Sequence, residues 1–267
     1  MRDRIIRPAA WGGVPAQDAG PVCFIEVARM HPQFGTILDR GTGTLIMNRW
    51  VLTAAHVTTS KVRGFEDDSL QYATVILGDA DRTRAPYQAN AVNNKILYHD
   101  MYEEDYDGRL RNDLSMIPLD PRIGNGVESA RIGALPRVGD IVTFKGWGAL
   151  GTDEHGSPID FPDVLHEGDL IVAESHPAMM TLKSMDEGDA NRVVSVMDGD
   201  SGGGIFNQNG ELVAVTSHRM QKPHELMGPQ TGAESGAVPV APYIRWIEGI
   251  VNDPNVLSDN VSSPLVA

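Results

Sequence analysis

The chain is dominated by short apolar segments, each closely bounded by turn-forming residues. The segments have the length of β-strands and are rich in Val, Ile and Thr: PVCFIEVA, GTLIMN, WVLTAA, YATVILG, DIVTFKGWG, DLIVAE, RVVSVM and ELVAVTS. Such segments indicate strands, and the 28 Gly and 17 Pro suit many tight turns between them. The sequence therefore predicts a mostly antiparallel all-β protein, built from barrels or sandwiches.

One segment has a different period. Residues 242–253, PYIRWIEGIVND, place their apolar side chains at helical spacing after an initial Pro242. We expect a C-terminal helix that packs its apolar face on the rest of the molecule. Residues 121–136 are rich in turn formers and weakly patterned, which predicts a linker between two β units.

Charge and cysteine content exclude several kinds of function. The net charge of −14 disfavours a nucleic-acid partner, because such proteins need a basic surface. No run approaches the roughly 18 apolar residues of a membrane span, so no membrane partner is expected. Cys23 is the only cysteine, which excludes an intramolecular disulfide and a zinc site of clustered thiolates. The sequence does not indicate whether the protein is a monomer or an oligomer.

Residues 1–10, MRDRIIRPAA, are basic but lack an apolar stretch long enough for a secretory signal. A cytoplasmic location is expected if Met1 is the native start. A secreted or periplasmic location is the alternative if a signal has been removed.

Three polar residues are candidates for chemistry. Ser201 lies among acidic residues and glycines in MDGDSGGGIFN, and its hydroxyl needs a base to become a nucleophile. His56 follows the segment WVLTAA, whose two alanines leave room to hold an imidazole at a barrel rim. Asp113 begins another apolar stretch, where a carboxylate can orient that imidazole. Taken singly, each has a structural explanation: a glycine turn, a surface or core histidine, and a strand-start turn.

Taken together, TAAH (53–56), NDLSMI (112–117) and GDSGGG (199–204) resemble the trypsin/chymotrypsin-like serine proteases, whose triad runs His, Asp, Ser along the chain. The motifs WGG, GTGTLIMNRWVLTAAH, GWG and PYIRWIEGI extend this resemblance over about 10–252.

The resemblance implies two packed antiparallel six-stranded β-barrels and a C-terminal helix. The first barrel, carrying His56 and Asp113, is expected over 10–120. The second, carrying the serine, is expected over 137–241, with the helix at 242–253.

The resemblance also implies a serine endopeptidase that forms an acyl-enzyme on a protein or peptide substrate, without a cofactor or a metal. His56 would be the general base and then the acid, and Asp113 would fix its tautomer. The backbone N–H groups of Gly199 and Ser201 would form the oxyanion hole, which explains the glycines: the backbone must touch the substrate.

Activation and specificity are further implications. Asp200 would pair with an amine freed by cleavage near Ala10, although no Arg or Lys immediately precedes Ala10 and the bond from Arg4 to Ile5, five residues earlier, is a more familiar cleavage site. The full chain would then be a zymogen.

The resemblance places Ser195 at the base of the primary pocket and Ser217, His218 and Arg219 along one wall. The strand 217–219 would pair with the substrate backbone. Ser195 carries no charge to hold Arg or Lys, so cleavage after those residues is expected to be disfavoured. A guanidinium in the wall favours Asp or Glu. If Arg219 instead points to solvent, modest apolar side chains are favoured.

Several positions depart from the animal members of the family. Val57 and Gly41 occupy the places of one disulfide, and Met197 stands at another usual cysteine. The joint loss indicates a disulfide-free lineage, which is common among bacterial members. Asp79 lies where some members bind calcium, but the residues after it lack the second acidic group that such a site needs.

Two other functions compete with the protease. GDSGG also fits the nucleophile elbow of α/β-hydrolases, but that fold needs alternating helices and strands, which this chain lacks. The second alternative is a catalytically inactive trypsin-like module that binds peptides. The retention of all three triad positions and of Gly199 argues against it.

Overall fold

The computed structural model of the chain describes residues 13–59, 70–104, 110–152, 158–185, 193–219 and 234–256. These residues form eighteen strands, β1 to β18, in this order: Val14–Pro15, Val22–His31, Gly35–Ile46, Trp50–Thr53, Leu70–Leu77, Tyr87–Asn90, Leu97–Tyr98, Glu103–Glu104, Leu110–Arg111, Ser115–Pro118, Ile141–Gly146, Gly151–Thr152, Pro158–Ile159, His166–His176, Met179–Ser184, Gly204–Phe206, Leu212–Arg219 and Glu234–Pro239. The helices are α1 (Ala55–Thr58) and α2 (Ile244–Asn252), with 3-10 turns at Val92–Asn94, Ile123–Gly126 and Ala241–Tyr243.

The N-terminal sheet has the strand order β6-β5-β2-β3-β4-β10-β7, and every neighbouring pair is antiparallel. Its longest ladder runs along β2 and β3, from Val22 opposite Thr44 to His31 opposite Gly35. The sheet curls around fully buried aliphatic side chains, because alternate residues of its apolar segments point to one face. They include Ile25, Val27, Leu45, Val51, Val75, Leu77 and Ile117.

The C-terminal sheet has the order β1-β14-β11-β16-β17-β18-β15, and a further pairing of β14 with β15 closes six of its strands into a barrel. The two-residue β1 comes from the N-terminal part of the chain and lies beside β14. Buried residues fill the barrel, among them Val142, Phe144, Leu170, Val172, Leu182, Ile205 and Val213. The predicted double β-barrel fold is confirmed.

A third hydrophobic cluster takes buried side chains from both units. Phe24 of β2 meets Trp147, just after β11, edge to face with 6.0 Å between ring centroids. Helix α2 adds the fully buried Ile247 to the same cluster, which confirms the predicted C-terminal helix. Each large apolar side chain buried in this way stabilises the fold by about 1.5–3 kcal/mol. The strands of the two sheets lie within 22–118 and 141–239, apart from β1; the predicted domain boundaries stay a prediction.

The segment RVVSVM is not a strand over its described residues, 193–197. Its side chains Val193, Val196 and Met197 are buried and Val194 is partly buried, but its backbone N–H groups bond to side chains instead of a neighbouring strand. Val194 N–H donates to Ser184 Oγ, and Met197 N–H donates to an oxygen of Asp200. A short apolar run is buried both as a β-strand and as an irregular segment, so the composition of RVVSVM does not distinguish these two conformations. Among the described helices, none has the length and apolar character of a membrane span.

Candidate active site

His56 and Asp113 are brought together by the pairing of β4 with β10. The chain leaves β4 at Thr53, turns through two fully buried alanines and enters α1, which carries His56. Ser115 lies opposite Thr53, so Asp113, two residues earlier, reaches the imidazole. The His56 backbone N–H donates to Asp113 Oδ1 at 2.9 Å, and His56 Nδ1 lies 2.8 Å from Asp113 Oδ2.

The Asp113 carboxylate is fully buried and ionised. Burial alone would raise its pKa, but the charge of His56 and hydrogen bonds from His56 and Ser217 outweigh burial and lower the pKa. The Ser217 hydroxyl donates to Asp113 Oδ2 at 2.6 Å. A carboxylate held from three directions fixes the imidazole with its proton on Nδ1, which leaves Nε2 as the free base.

The Ser201 loop is held through its backbone by strand β3. Thr42 N–H donates to the Ser201 carbonyl at 2.9 Å, and the Thr42 hydroxyl donates to the Gly199 carbonyl at 2.9 Å. Gly199 and Gly202 have positive φ angles of 99° and 81°, which favour glycine. A Cβ at Gly202 would lie 2.0 Å from Thr53 Oγ1, so the loop packs directly on the N-terminal sheet.

The Ser201 side chain is less constrained than its backbone. Its hydroxyl donates to the Ser217 carbonyl at 3.3 Å. Because a hydroxyl carries one proton, this bond directs that proton away from His56. No acceptor among the described residues takes the N–H of Gly199 or of Ser201. These are the two donors that the sequence assigned to an oxyanion hole.

Asp200 is fully buried against the GWG turn. Its Oδ1 accepts the Gly148 N–H at 2.8 Å, and its Oδ2 accepts the Met197 N–H at 2.8 Å. A Cβ at Gly146 or Gly148 would lie 2.1 or 2.3 Å from a carboxylate oxygen of Asp200, so both positions need glycine. Ala10, Arg4 and the rest of the predicted activation segment lie outside the described residues.

A cavity of about 170 Å³ opens beside the candidate triad. Its described lining consists of His56, Leu110, Val196, Met197, Asp198, Ser201, Thr216, Ser217 and His218. Ser195, the predicted pocket base, is not in this lining; it is fully buried, and its hydroxyl donates to the Val196 carbonyl at 3.4 Å. The backbone of Arg219 pairs with Ser235, and its side chain lies outside the described part of the chain.

The positions of the missing disulfide are neighbours. A Cβ at Gly41 would lie 2.6 Å from Val57 Cγ1, so the valine side chain takes the space at that contact. Met197 is buried and helps to hold Asp200. The carboxylate of Asp79 accepts the Asp81 N–H and lies 3.5 Å from the Arg84 guanidinium.

Sequence reasoning missed the part played by Thr42 and Thr53. The Thr53 hydroxyl donates to the Thr42 carbonyl at 2.8 Å, and Thr42 in turn binds the Ser201 loop. Both lie within the GTGTLIMNRWVLTAAH stretch. The only feature that marks them is the full burial of their hydroxyl groups, and burial cannot be seen in the sequence.

The family model described as Trypsin matches residues 25–247. The chain belongs to the trypsin family. Serine protease 1 of Drosophila melanogaster is 30% identical over 225 residues, covering 77% of this chain and 73% of that protein. A venom plasminogen activator of Agkistrodon piscivorus leucostoma is 24% identical over 220 residues, covering 79% and 77%.

Solved structures agree with the trypsin-family fold. Neuropsin, a serine protease expressed in the limbic system of mouse brain, superposes with a TM-score of 0.65 at 19% identity, covering 90% of this chain and 99% of that chain. At that identity the likeness shows the fold alone. The named relatives come from animals, so the bacterial-type assignment stays a prediction. The absence of disulfides follows from the single cysteine, Cys23, which is buried and free.

Proposed function

We propose that the chain is a serine endopeptidase that hydrolyses peptide bonds through an acyl-enzyme, with His56, Asp113 and Ser201 as its triad. The observation that carries the proposal is the 2.8 Å pairing of His56 with the buried Asp113, beside a cavity that Ser201 also lines. Membership of the trypsin family supports it and implies a peptide substrate.

The proposed reaction needs one movement and no cofactor. The Ser201 hydroxyl turns from the Ser217 carbonyl towards Nε2 of His56, which takes the proton as Oγ attacks the peptide carbonyl carbon. The carbonyl oxygen becomes an oxyanion, to which the N–H groups of Gly199 and Ser201 donate; such a donor lowers the barrier by about 3–4 kcal/mol.

Collapse of this intermediate breaks the C–N bond, and His56 gives its proton to the leaving amine. Water then attacks the acyl carbon and loses a proton to His56. The bond from carbon to Ser201 Oγ breaks, His56 returns the proton to Oγ, and the carboxylic acid leaves. Asp113 stays ionised throughout and stabilises the charged imidazole.

The hydrogen bond of Ser201 to the Ser217 carbonyl favours the second candidate function, an inactive peptide-binding module. Digestion of a denatured protein, followed by mass spectrometry of the fragments, separates the two. We expect the wild type and Ser129→Ala, which changes a hydroxyl outside the site, to cut, and Ser201→Ala to leave the substrate intact. Peptide binding without cleavage by the wild type would favour the module.

We also propose that the strand 217–219 pairs with the substrate and that cleavage after Arg or Lys is disfavoured. The test is kcat/KM on matched fluorogenic peptides that differ only in the residue before the cut, with Arg219→Gly alongside. Asp, Glu or a modest apolar residue should lead. Asp198 also lines the cavity, and its carboxylate could pair with an Arg side chain of the substrate. A measured preference for Arg would therefore reject the specificity proposal.

Activation is the third part of the proposal. An amine released near Ala10 would pair with Asp200 and order the Ser201 loop. Chain of intact mass from Met1 should be at least tenfold less active than chain cleaved near Ala10. Full activity of the intact chain would reject this part alone.

A further inference from the structure

A fourth side chain joins the hydrogen bonds around Asp113. Ser217 Oγ lies 2.6 Å from Asp113 Oδ2 and 3.1 Å from Nδ1 of His218. The only proton of the hydroxyl goes to the carboxylate, because an ionised carboxylate can only accept. Ser217 therefore accepts from His218, and the His218 ring carries its proton on Nδ1.

The backbone around Ser217 has a β-bulge that makes this arrangement possible. On β17, Thr216 lies opposite Ala237 and His218 lies opposite Gly236, so Ser217 has no partner on β18. Bulges near active sites redirect side chains in this way. The His218 ring rests on Gly236, since a Cβ there would lie 2.8 Å from His218 Cε1.

The charge state of His218 agrees with a neutral donor. Burial is the main cause that lowers its pKa, the nearby charge of His56 lowers it further, and Asp113 opposes both. The ring is therefore neutral at neutral pH and donates through Nδ1.

We propose that His218 is a positioning residue of the triad: by donating to Ser217 it directs the Ser217 proton to Asp113 and holds the carboxylate in line with His56. The inference rests on the proposed function. Without the donor, the Ser217 hydroxyl is free to rotate, and Asp113 loses a fixed bond on the oxygen that also holds the imidazole. His218 acts through Ser217 and need not touch the substrate.

The test is the second-order rate at which a simple alkyl fluorophosphonate, which has no peptide part, labels Ser201. His218→Phe keeps a ring without the donor, and we expect it to react about three to ten times more slowly, the effect of one hydrogen bond. His218→Asn places an amide donor near the Nδ1 position and should recover most of the rate. Circular dichroism and thermal melting establish that each variant is folded.

A double-mutant cycle with Ser217→Ala tests whether His218 acts through the Ser217 hydroxyl. In that background His218→Phe should have no further effect, because the hydroxyl that links His218 to Asp113 is already absent. An effect that persists would overturn the proposal and indicate a direct contact with the probe. Wild-type rates in folded His218→Phe would overturn it as well. Failure of the wild type to label would instead reject the proposed function itself.

Discussion

The two halves of the candidate site are held in different ways. On the N-terminal side, the buried Asp113 carboxylate has three hydrogen bonds of 2.9 Å or less, and they fix both the acid and His56. On the C-terminal side, the Ser201 side chain has one bond of 3.3 Å, while Thr42 holds the loop by its backbone. The acid and base are thus held by bonds to the Asp113 side chain, and the nucleophile is held through the main chain of its loop. This difference separates the effects of mutations on the two sides.

The largest expected effects come from the triad. Ser201→Ala or His56→Ala should lower kcat by roughly 10⁶, and Asp113→Asn by about 10⁴, because the three act as one unit. The effects should not add in double variants. Steady-state hydrolysis of a peptide substrate by proteins of normal circular dichroism measures this. Retention of more than about a hundredth of the activity by Ser201→Ala would contradict the assignment.

The next prediction concerns the glycines of the nucleophile side. Gly148→Ala would place a Cβ 2.3 Å from Asp200 Oδ2, next to Ser201. Something must shift, so we expect at least a hundredfold loss of kcat/KM and about 1–3 kcal/mol less stability to urea.

The control is Gly249→Ala, on an exposed turn of α2 with nothing within 4 Å of the new Cβ. It should keep full activity and stabilise the helix by about 0.5–1 kcal/mol. Equal behaviour of the two variants would show that the glycine turn does not hold the loop.

A smaller effect is expected from the tether on β3. Thr42→Val removes the hydroxyl that binds the Gly199 carbonyl, so we expect roughly tenfold lower activity and a loss of about 1–3 kcal/mol. Thr44, two residues along the same strand, is the matched control, because its buried hydroxyl has no partner in the described structure. Thr44→Val should be neutral or stabilising, as replacing an unsatisfied buried hydroxyl removes a cost. Urea unfolding and peptide hydrolysis are measured in parallel for Thr42→Val and Thr44→Val. Equal losses of stability and activity in the two variants would contradict a tether through the Thr42 hydroxyl.

The smallest effect is on the pH dependence of stability, and it differs between the halves. His166 on β14 lies beside the nucleophile half, and burial, only partly offset by its bond to the Val164 carbonyl, lowers its pKa. As pH falls below about 6.5 the unfolded state takes up the proton first, so stability is lost from there down to the folded pKa.

Asp113 has a lowered pKa as a carboxylate, so its contribution persists above about 3.9 and is lost only as pH falls through its still lower folded pKa. Urea unfolding across pH 4–7 should show a slope that is shallower in His166→Gln, by at most about 1.4 kcal/mol per unit. An unchanged slope would contradict this account of His166.

The fold class could be predicted from the sequence, because the apolar segments predict the strands. The approach of Asp113 to His56 was expected only from the family resemblance of TAAH and NDLSMI, since the two residues are 57 apart in the chain and meet through the pairing of β4 with β10. The bond from Thr42 to Gly199 joins residues 157 apart and depends on how the two units pack. The residue pattern around Thr42 or Gly199 does not indicate how the two units pack.

Local conformation is also not visible in the sequence. Ser195 lies in an irregular stretch, and its buried side chain is not in the described cavity lining; its role at the pocket base stays a prediction. The bulge at Ser217, which places His218 against Gly236, is likewise a product of pairing between β17 and β18. Its residues do not differ in composition from a regular strand.

The central claim is that the His56–Asp113 pair activates Ser201. The most direct measurement is the rate and site of fluorophosphonate labelling in the wild type and in Asp113→Asn, by intact mass and peptide mapping. We expect one adduct per chain, on Ser201, forming about 10⁴ times more slowly in Asp113→Asn. An adduct on another residue, or equal rates in the two proteins, would contradict it.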